Sequence, residues 1–594
     1  MKALYQAARP AFEEQLLDDL SPDAPWALIE RFSSLVRESG SEDEREAARY
    51  IADRLRDFGV PHQVHEPELF LSVPVAASLE VKGQRIRAKA PAFSASTGPV
   101  GIKGEIVYVP SKIPEAVDSV FRFAPSGKEE VRGKIVLTDG FGFPEAVRHF
   151  EKQGAIGQIH INPGEEIHWG ICTTIWGAPD LDSAPRQPRT PVVAISQSAG
   201  KALLKWLKEG DIEVTIRTEL KEGWFPCPLV VAEIEGQEEP ERFVLVHGHY
   251  DSWGVGVGDN AVGNATLLEL ARLFYKHRKG LARSLKVAWW PGHSTGRYGG
   301  STWFADAFAL DLARNCIAQV NIDSPGCRWA TEYYDVFWMA EAEDFCVQAI
   351  QDATGQEALG ARPVRAGDYS FNNIGISSFF MLLSTMPKEL REEKGYYAVG
   401  GCGGNIAWHT ENDTLEIADL NNLMRDLRVY VVSLQRVLNN PVHPFDFRNL
   451  VKELRDTLSH YAEAAGGALD FTPAFEALDT FQTGLERLYL DVPALLERPI
   501  QDPAVRALND AILELGRILI PINYGRCGRF RNDPAVEIAP LPDLAPALKM
   551  RNTEGHAKNV LRTHLQRGLN RVVWAFEQAS EVTRKAHQVT SSRP

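Results

Sequence analysis

Five short runs of β-branched and aromatic residues most constrain the fold: PLVVAEI from Pro228, FVLVHG from Phe243, LKVAWW from Leu285, CIAQVNI from Cys316 and ISSFFML from Ile376. Each is too short for a core helix, and longer helical stretches such as residues 261–279 separate them. Strands that alternate with helices predict an α/β fold, a mostly parallel sheet flanked by helices on both faces. In such sheets ligands bind outside the carboxyl ends of the strands. Residues that directly follow the runs are therefore the first candidates for chemistry.

The flanking regions read differently. Residues 26–59 read as two helices, the second opened by a capping box at Ser41-Glu42-Asp43-Glu44 and carrying the stripe Ala48, Ile51, Leu55 and Phe58. From residue 70 to 222 short apolar runs between Gly and Pro predict a β-rich insert with few helices and no catalytic constellation. Residues 1–69 and 223–440 then form the main domain. Residues 441–594 are expected to be helical, with stripes Val451–Leu454–Leu458–Tyr461, Val505–Leu508–Ile512–Leu515–Leu519 and Leu561–Leu565–Leu569–Val572–Phe576.

Five residues stand where the sheet directs attention. His249 and Asp251 follow FVLVHG, Asp259 lies in the loop GVGVGDNAVGNA, Asp323 follows CIAQVNI, and His409 lies in AWHTENDT. Alone, a His-x-Asp pair also reads as a hydrogen-bonded pair, and an Asp after a strand as a helix cap. Three carboxylates brought to one sheet edge repel one another and are costly to desolvate, and a bound cation resolves both problems. Two His and two Asp suit zinc or another first-row divalent metal.

His-x-Asp, Gly-Asp-Asn-Ala, Ile-Asp-Ser after a strand and Trp-His-Thr-x-x-Asp-Thr, in that order, resemble metallopeptidase family twenty-eight. This is the co-catalytic zinc aminopeptidase family, which includes glutamate carboxypeptidase and the silent transferrin receptor. The resemblance implies that 70–222 is a protease-associated domain and 441–594 a helical dimerisation domain. It implies that His249 and Asp323 hold one metal ion, His409 a second, and Asp259 bridges both, while Asp251 orients His249. Zinc is the implied ion, one or two per chain, with manganese or iron as alternatives.

The chain departs from that pattern after LKVAWW. Family members carry Glu-Glu there, a general base and a ligand of the second metal. Here the turn reads Pro291-Gly292-His293-Ser294-Thr295-Gly296-Arg297-Tyr298, with His293 at the base position and Ser294 at the ligand position. Histidine is a competent base near neutral pH, and inward rotation would instead make it a ligand. His293 and Asp251 are thus the candidate catalytic residues. Arg297 and Tyr298 offer a cation and a hydroxyl for an anionic group or oxyanion, or else a salt bridge on a solvated loop. Asp368 and Tyr369 belong to a loop that lines the substrate pocket in the family.

The expected function is a metal-dependent hydrolase of an amide or peptide-like bond. A lyase or hydratase on the same fold and a silent binding protein are the alternatives. Retention of five charged or imidazole groups argues against the silent protein. A net charge of −15 and the lack of a dense Lys/Arg run argue against nucleic acid as partner. No run is long and apolar enough for a membrane span, the first residues do not read as a secretory signal, and seven scattered cysteines fit a reducing, cytoplasmic setting. The expected partners are a small-molecule or peptide-like substrate and a second copy of the chain.

Overall fold

The computed structural model describes residues 2–127 and 129–591. The apolar runs form an eight-stranded sheet in the spatial order His62–His65, Leu229–Ile234, Arg283–Trp290, Glu239–His249, Cys316–Asn321, Ser377–Met381, Tyr333–Trp338, Ala358–Ala361. Four of its seven pairings are parallel, including the two made by the central strand Glu239–His249. The three antiparallel pairings lie toward the edges. Apolar runs report burial but not chain direction, so the sequence pattern alone does not distinguish them.

Alternation along the central strand divides the core. Val244 and Val246 join the large apolar cluster that contains the buried helix Val262–Lys276, whereas Phe243 and Leu245 join a second cluster with Phe304 and Leu312. Successive side chains of a strand point to opposite faces, so the sheet is covered on both.

Strands Glu68–Val81 and Glu213–Pro226 pair along their whole length and carry the chain out to, and back from, a second sheet of seven strands. That sheet has its own core, including Leu79, Ile135, Leu137 and Ile159. Because His62–His65 already pairs with Leu229–Ile234, this sheet is an insert within the main domain.

The C-terminal region is helical. Phe447–Ala465, Pro503–Tyr524 and Gly555–Thr590 carry the three stripes read from the sequence. A fourth long helix, Thr472–Leu490, buries Ala474, Leu478, Phe481, Leu485 and Leu488. Its stripe is weakened by the small Ala474 and by Gly484 alongside, and it escaped the sequence reading. These helices share the large cluster of the main domain. Buried Arg517 extends the contact by donating to the carbonyl oxygens of Leu312, Ala313, Cys316 and Gly375. No helix among the described residues is long and apolar enough to cross a membrane.

Candidate metal centre

Register brings the site together. His249, the last residue of its strand, lies opposite Trp290, and His247 lies opposite Asn321. The turn that starts at Pro291 and the segment that starts at Ile322 therefore leave the sheet beside His249. Asn260 joins the Asp259 loop to this edge, accepting from the Ser324 amide (3.0 Å) and donating to the Ile322 carbonyl (2.9 Å). The loop is anchored from two sides. Asp413 accepts from the amides of Gly258 (2.6 Å) and Asp259 (3.0 Å). Buried Arg37 donates to the carbonyls of Tyr250 (2.8 Å), Val255 (2.7 Å) and Gly256 (2.9 Å). Gly256 has φ +47°, and a Cβ there would lie 2.5 Å from the Asp259 carbonyl oxygen, so only glycine fits the turn.

The structure brings His249, Asp259, Asp323 and His409 into one group. His249 Nε2 lies 2.9 Å from Asp259 Oδ1 and 3.7 Å from Asp323 Oδ2, and His409 Nε2 lies 3.1 Å from Asp259 Oδ2. Asp259 thus faces both imidazoles, one with each oxygen. His293 joins them: its ring stacks on that of His249 at 3.8 Å, and ligand atoms of His249, His293 and Asp323 all lie within 4.8 Å of one another.

The second nitrogen of each ring fixes its tautomer. His249 Nδ1 donates to the Asp251 carbonyl (2.9 Å), His409 Nδ1 to the Trp169 carbonyl (3.0 Å), and His293 Nδ1 to the Asp368 carboxylate (2.9 Å). A carbonyl oxygen only accepts, so Nδ1 of His249 and of His409 carries the proton and Nε2 keeps its lone pair for the centre. His249 Nε2 and Asp259 Oδ1 are buried, close together, and without a hydrogen bond. Two lone-pair atoms converging on one point fit a divalent cation, and imidazole and carboxylate are the donors such a cation takes. With protein groups alone, burial would lower the His249 pKa, but Asp251, Asp259 and Asp323 outweigh it and hold the imidazole well above its ordinary value. Asp413 shows the same crowding: burial and the nearby Asp259 push it up to about 7.

Several residues take places other than those expected. Asp251 orients His249 through its main-chain carbonyl, while its carboxylate, 3.6 Å from Nδ1, accepts from the amides of His293 (3.1 Å) and Ser294 (2.8 Å). It shapes the His293 turn. Asp368 does not line an open pocket. It is buried, holding His293 with one oxygen and accepting from the Ser301 hydroxyl (2.6 Å) with the other. Burial alone would raise its pKa, but His293 and Ser301 hold it below the usual carboxylate range. Tyr369 is buried in an apolar cluster with Trp176 and Tyr298 and presents no surface to substrate. The Tyr298 hydroxyl accepts from the Gly367 amide (2.9 Å), and its ring packs against His293 at 4.8 Å. Arg297 lies on no solvated loop; it is buried, and among the described residues it forms no salt bridge.

The insert carries no catalytic constellation legible in its sequence, yet its Trp169 clamps His409, the Trp169 amide also donating to the His409 carbonyl (2.9 Å). Nothing local marks Trp169. Asp413 carried a signal in its spacing four residues after His409, but Arg37 carried none.

Residues 230–431 match the model of peptidase family M28, and residues 102–203 match that of the PA domain. The chain thus carries a peptidase family M28 domain with a PA domain set into it. Carboxypeptidase Q of Mus musculus is 25% identical over 282 residues, which cover 45% of this chain and 58% of that protein. A probable glutamate carboxypeptidase of Zea mays is 25% identical over 349 residues, 48% of each chain. The chain therefore spans about half the length of these curated relatives. In fold it is similar to a zinc aminopeptidase from Bacillus subtilis, with a TM-score of 0.52 and 19% identity, covering 71% of this chain and 96% of the other.

Proposed function

We propose that the chain is a metal-dependent hydrolase of an amide or peptide-like bond in which His293, held by Asp368, acts as general base. The observation that carries this reading is the His293–Asp368 pair stacked against His249 at the metal centre. The matched family and the peptidase names of the relatives support the reaction class. A bound divalent ion, with zinc the choice that the imidazole and carboxylate donors favour, would polarise the scissile carbonyl and acidify the attacking water.

The chain's own residues do the rest. His249, Asp259, Asp323 and His409 hold the cation site. Asp251 fixes the turn, and Asp368 keeps the His293 proton on Nδ1 so that Nε2 is free to accept. As His293 takes a proton, Asp368 stabilises the imidazolium, and the same imidazolium then returns the proton to the leaving amine. Ser294 stands where the family resemblance implies a carboxylate ligand. A hydroxyl is a poor replacement, so a second ion held by Asp259 and His409 would bind more weakly than the first.

The grouping of His293 with His249 and Asp323 favours a second reading, in which His293 is a metal ligand. Elemental analysis and turnover of His293→Ala separate the two. As a base, its loss leaves metal content unchanged and lowers turnover by about 10²- to 10⁴-fold; as a ligand, its loss also removes metal. The substrate screen is a panel of dipeptides, N-acyl amino acids and simple amides. Standard aminoacyl and dipeptide substrates are expected to be cleaved poorly. Absence of turnover on the whole panel by the metal-loaded protein would overturn the hydrolase reading. His293→Glu with Ser294→Glu should strengthen binding of a second ion.

A further inference from the structure

A cavity of about 200 Å³ lies where the insert, the His293 turn and the C-terminal region meet, lined among others by Phe121, Arg297, Arg365 and Val536. We infer that this cavity is an anion subsite in which Arg297 and Arg365 receive a carboxylate of the substrate. As a statement about substrate this rests on the hydrolase reading; as a binding site it stands alone.

Arg297 is the observation that carries it. Only 3% exposed, its side chain makes no hydrogen bond or ion pair among the described residues, and its Nε is buried without a partner. Its guanidinium lies over the Tyr298 ring, 4.7 Å away. Buried Arg37, Arg283 and Arg517 are satisfied. Arg37 and Arg517 spend their N–H groups on main-chain carbonyls, and Arg283 is paired with Glu239 at 2.8 Å. Burying a cation without such partners is costly, and a ligand that brings the missing charge removes the cost.

Arg365 points to the same ligand. It is buried, stacks on Trp176 at 3.6 Å and donates to the carbonyls of Asp533 and Tyr369; among the described residues it forms no ion pair, the Asp533 carboxylate acting on it only from a greater distance, and its Nε is unsatisfied. The other charged groups around the cavity are already engaged. Arg122 pairs with Glu537 (3.0 Å) and Asp118 (3.9 Å), Arg362 pairs with Glu453 (2.6 Å), and Glu145 accepts from the Phe123 amide. The carboxylates on this wall outnumber Arg122, but among the described residues none of them pairs with Arg297 or Arg365, and those two guanidinium groups are the cations left without an ion pair. Position ties the subsite to the chemistry, because Tyr298, next to Arg297, packs on both His293 (4.8 Å) and Trp176 (4.3 Å). A planar guanidinium matches a carboxylate, so the ligand class is a substrate with a carboxylate one short side chain from the bond to be cleaved.

The test is calorimetric binding of glutarate and of its uncharged diamide, glutaramide, to the full chain, both zinc-loaded and chelated. Glutarate should bind saturably in both forms, with glutaramide and the Arg297→Gln variant each weaker by about tenfold or more and Arg297→Lys falling between. Equal binding of the diamide, unchanged affinity in Arg297→Gln, or loss of glutarate binding on chelation would overturn the proposal, the last because the acid would then sit on the metal. Should Arg297→Gln not fold, phenylglyoxal modification of the native protein decides. Glutarate should slow modification of Arg297, read by peptide mass spectrometry, and absence of protection overturns the subsite. None of these readouts needs turnover, so failure of the hydrolase reading and failure of the subsite remain distinguishable.

Discussion

At the scale of single residues, the site is controlled by what lies behind its ligands. Arg37 touches no substrate, yet three of its bonds hold the strand end and the Asp259 loop together. Replacement by Met would leave those buried carbonyls unpaired. Arg37→Met should lower stability by on the order of 3 kcal/mol and weaken zinc binding, checked by denaturant unfolding and metal titration. Unchanged stability would show that water replaces the guanidinium. Glu341 gives a pH prediction away from the metal. Burial raises its pKa from 4.5 to about 7 although Ser377 donates to it. Between those values the folded chain holds a proton that the unfolded chain has released, so stability falls as pH rises through this window. Glu341→Gln should flatten that fall and stabilise the protein at pH 8 by on the order of 2 kcal/mol. Unfolding curves at pH 5 and pH 8 check it, and the same pH slope in variant and wild type would refute it.

At the scale of elements, the insert is coupled to the metal centre by one short segment. Lys89 donates to the Ile167 carbonyl (2.6 Å) and to Glu411 (2.7 Å), and its ammonium lies 3.3 Å from the centre of the Trp169 ring. Trp169 in turn fixes the tautomer of His409. His168 beside it donates to the Trp408 carbonyl (2.6 Å), and burial lowers its pKa to about 3, so it stays neutral. Partners of metal-binding histidines typically change affinity by 10- to 100-fold. Lys89→Met should therefore weaken the second equivalent of zinc by about tenfold while leaving the first unchanged, as read by competition titration. An equal loss at both sites would mean that the segment supports the whole centre and not the His409 side.

At the scale of the whole molecule, the C-terminal helices share one buried core with the M28 domain. Helix Gly555–Thr590 nevertheless leaves Val560 and Trp574 outward, 54% and 63% exposed. We propose that this region pairs two copies of the chain, in keeping with the prevalence of two-fold dimers. Light scattering at micromolar concentration should return twice the 66.0 kDa of the chain, and Trp574→Glu should shift it toward monomer. A monomeric wild type would remove the proposal.

The five central runs and three of the long C-terminal helices were legible because burial imposes a period on the residues themselves: two along Phe243–Val246, three to four along Val505–Leu519. His249, Asp259, Asp323 and His409 were legible because strand ends mark where a sheet of this class binds its ligands. Their supports were not. His293 finds Asp368 across 75 positions and His409 finds Trp169 across 240, and no local pattern records a partner so distant. The sequence by itself determined which elements form and which side chains reach the sheet edge. Only the tertiary structure decided which ring nitrogen each histidine turns to the centre, that Asp368 serves His293, and that Arg297 is buried without a counter-charge. Those outcomes depend on hydrogen bonds and desolvation between segments far apart in the chain.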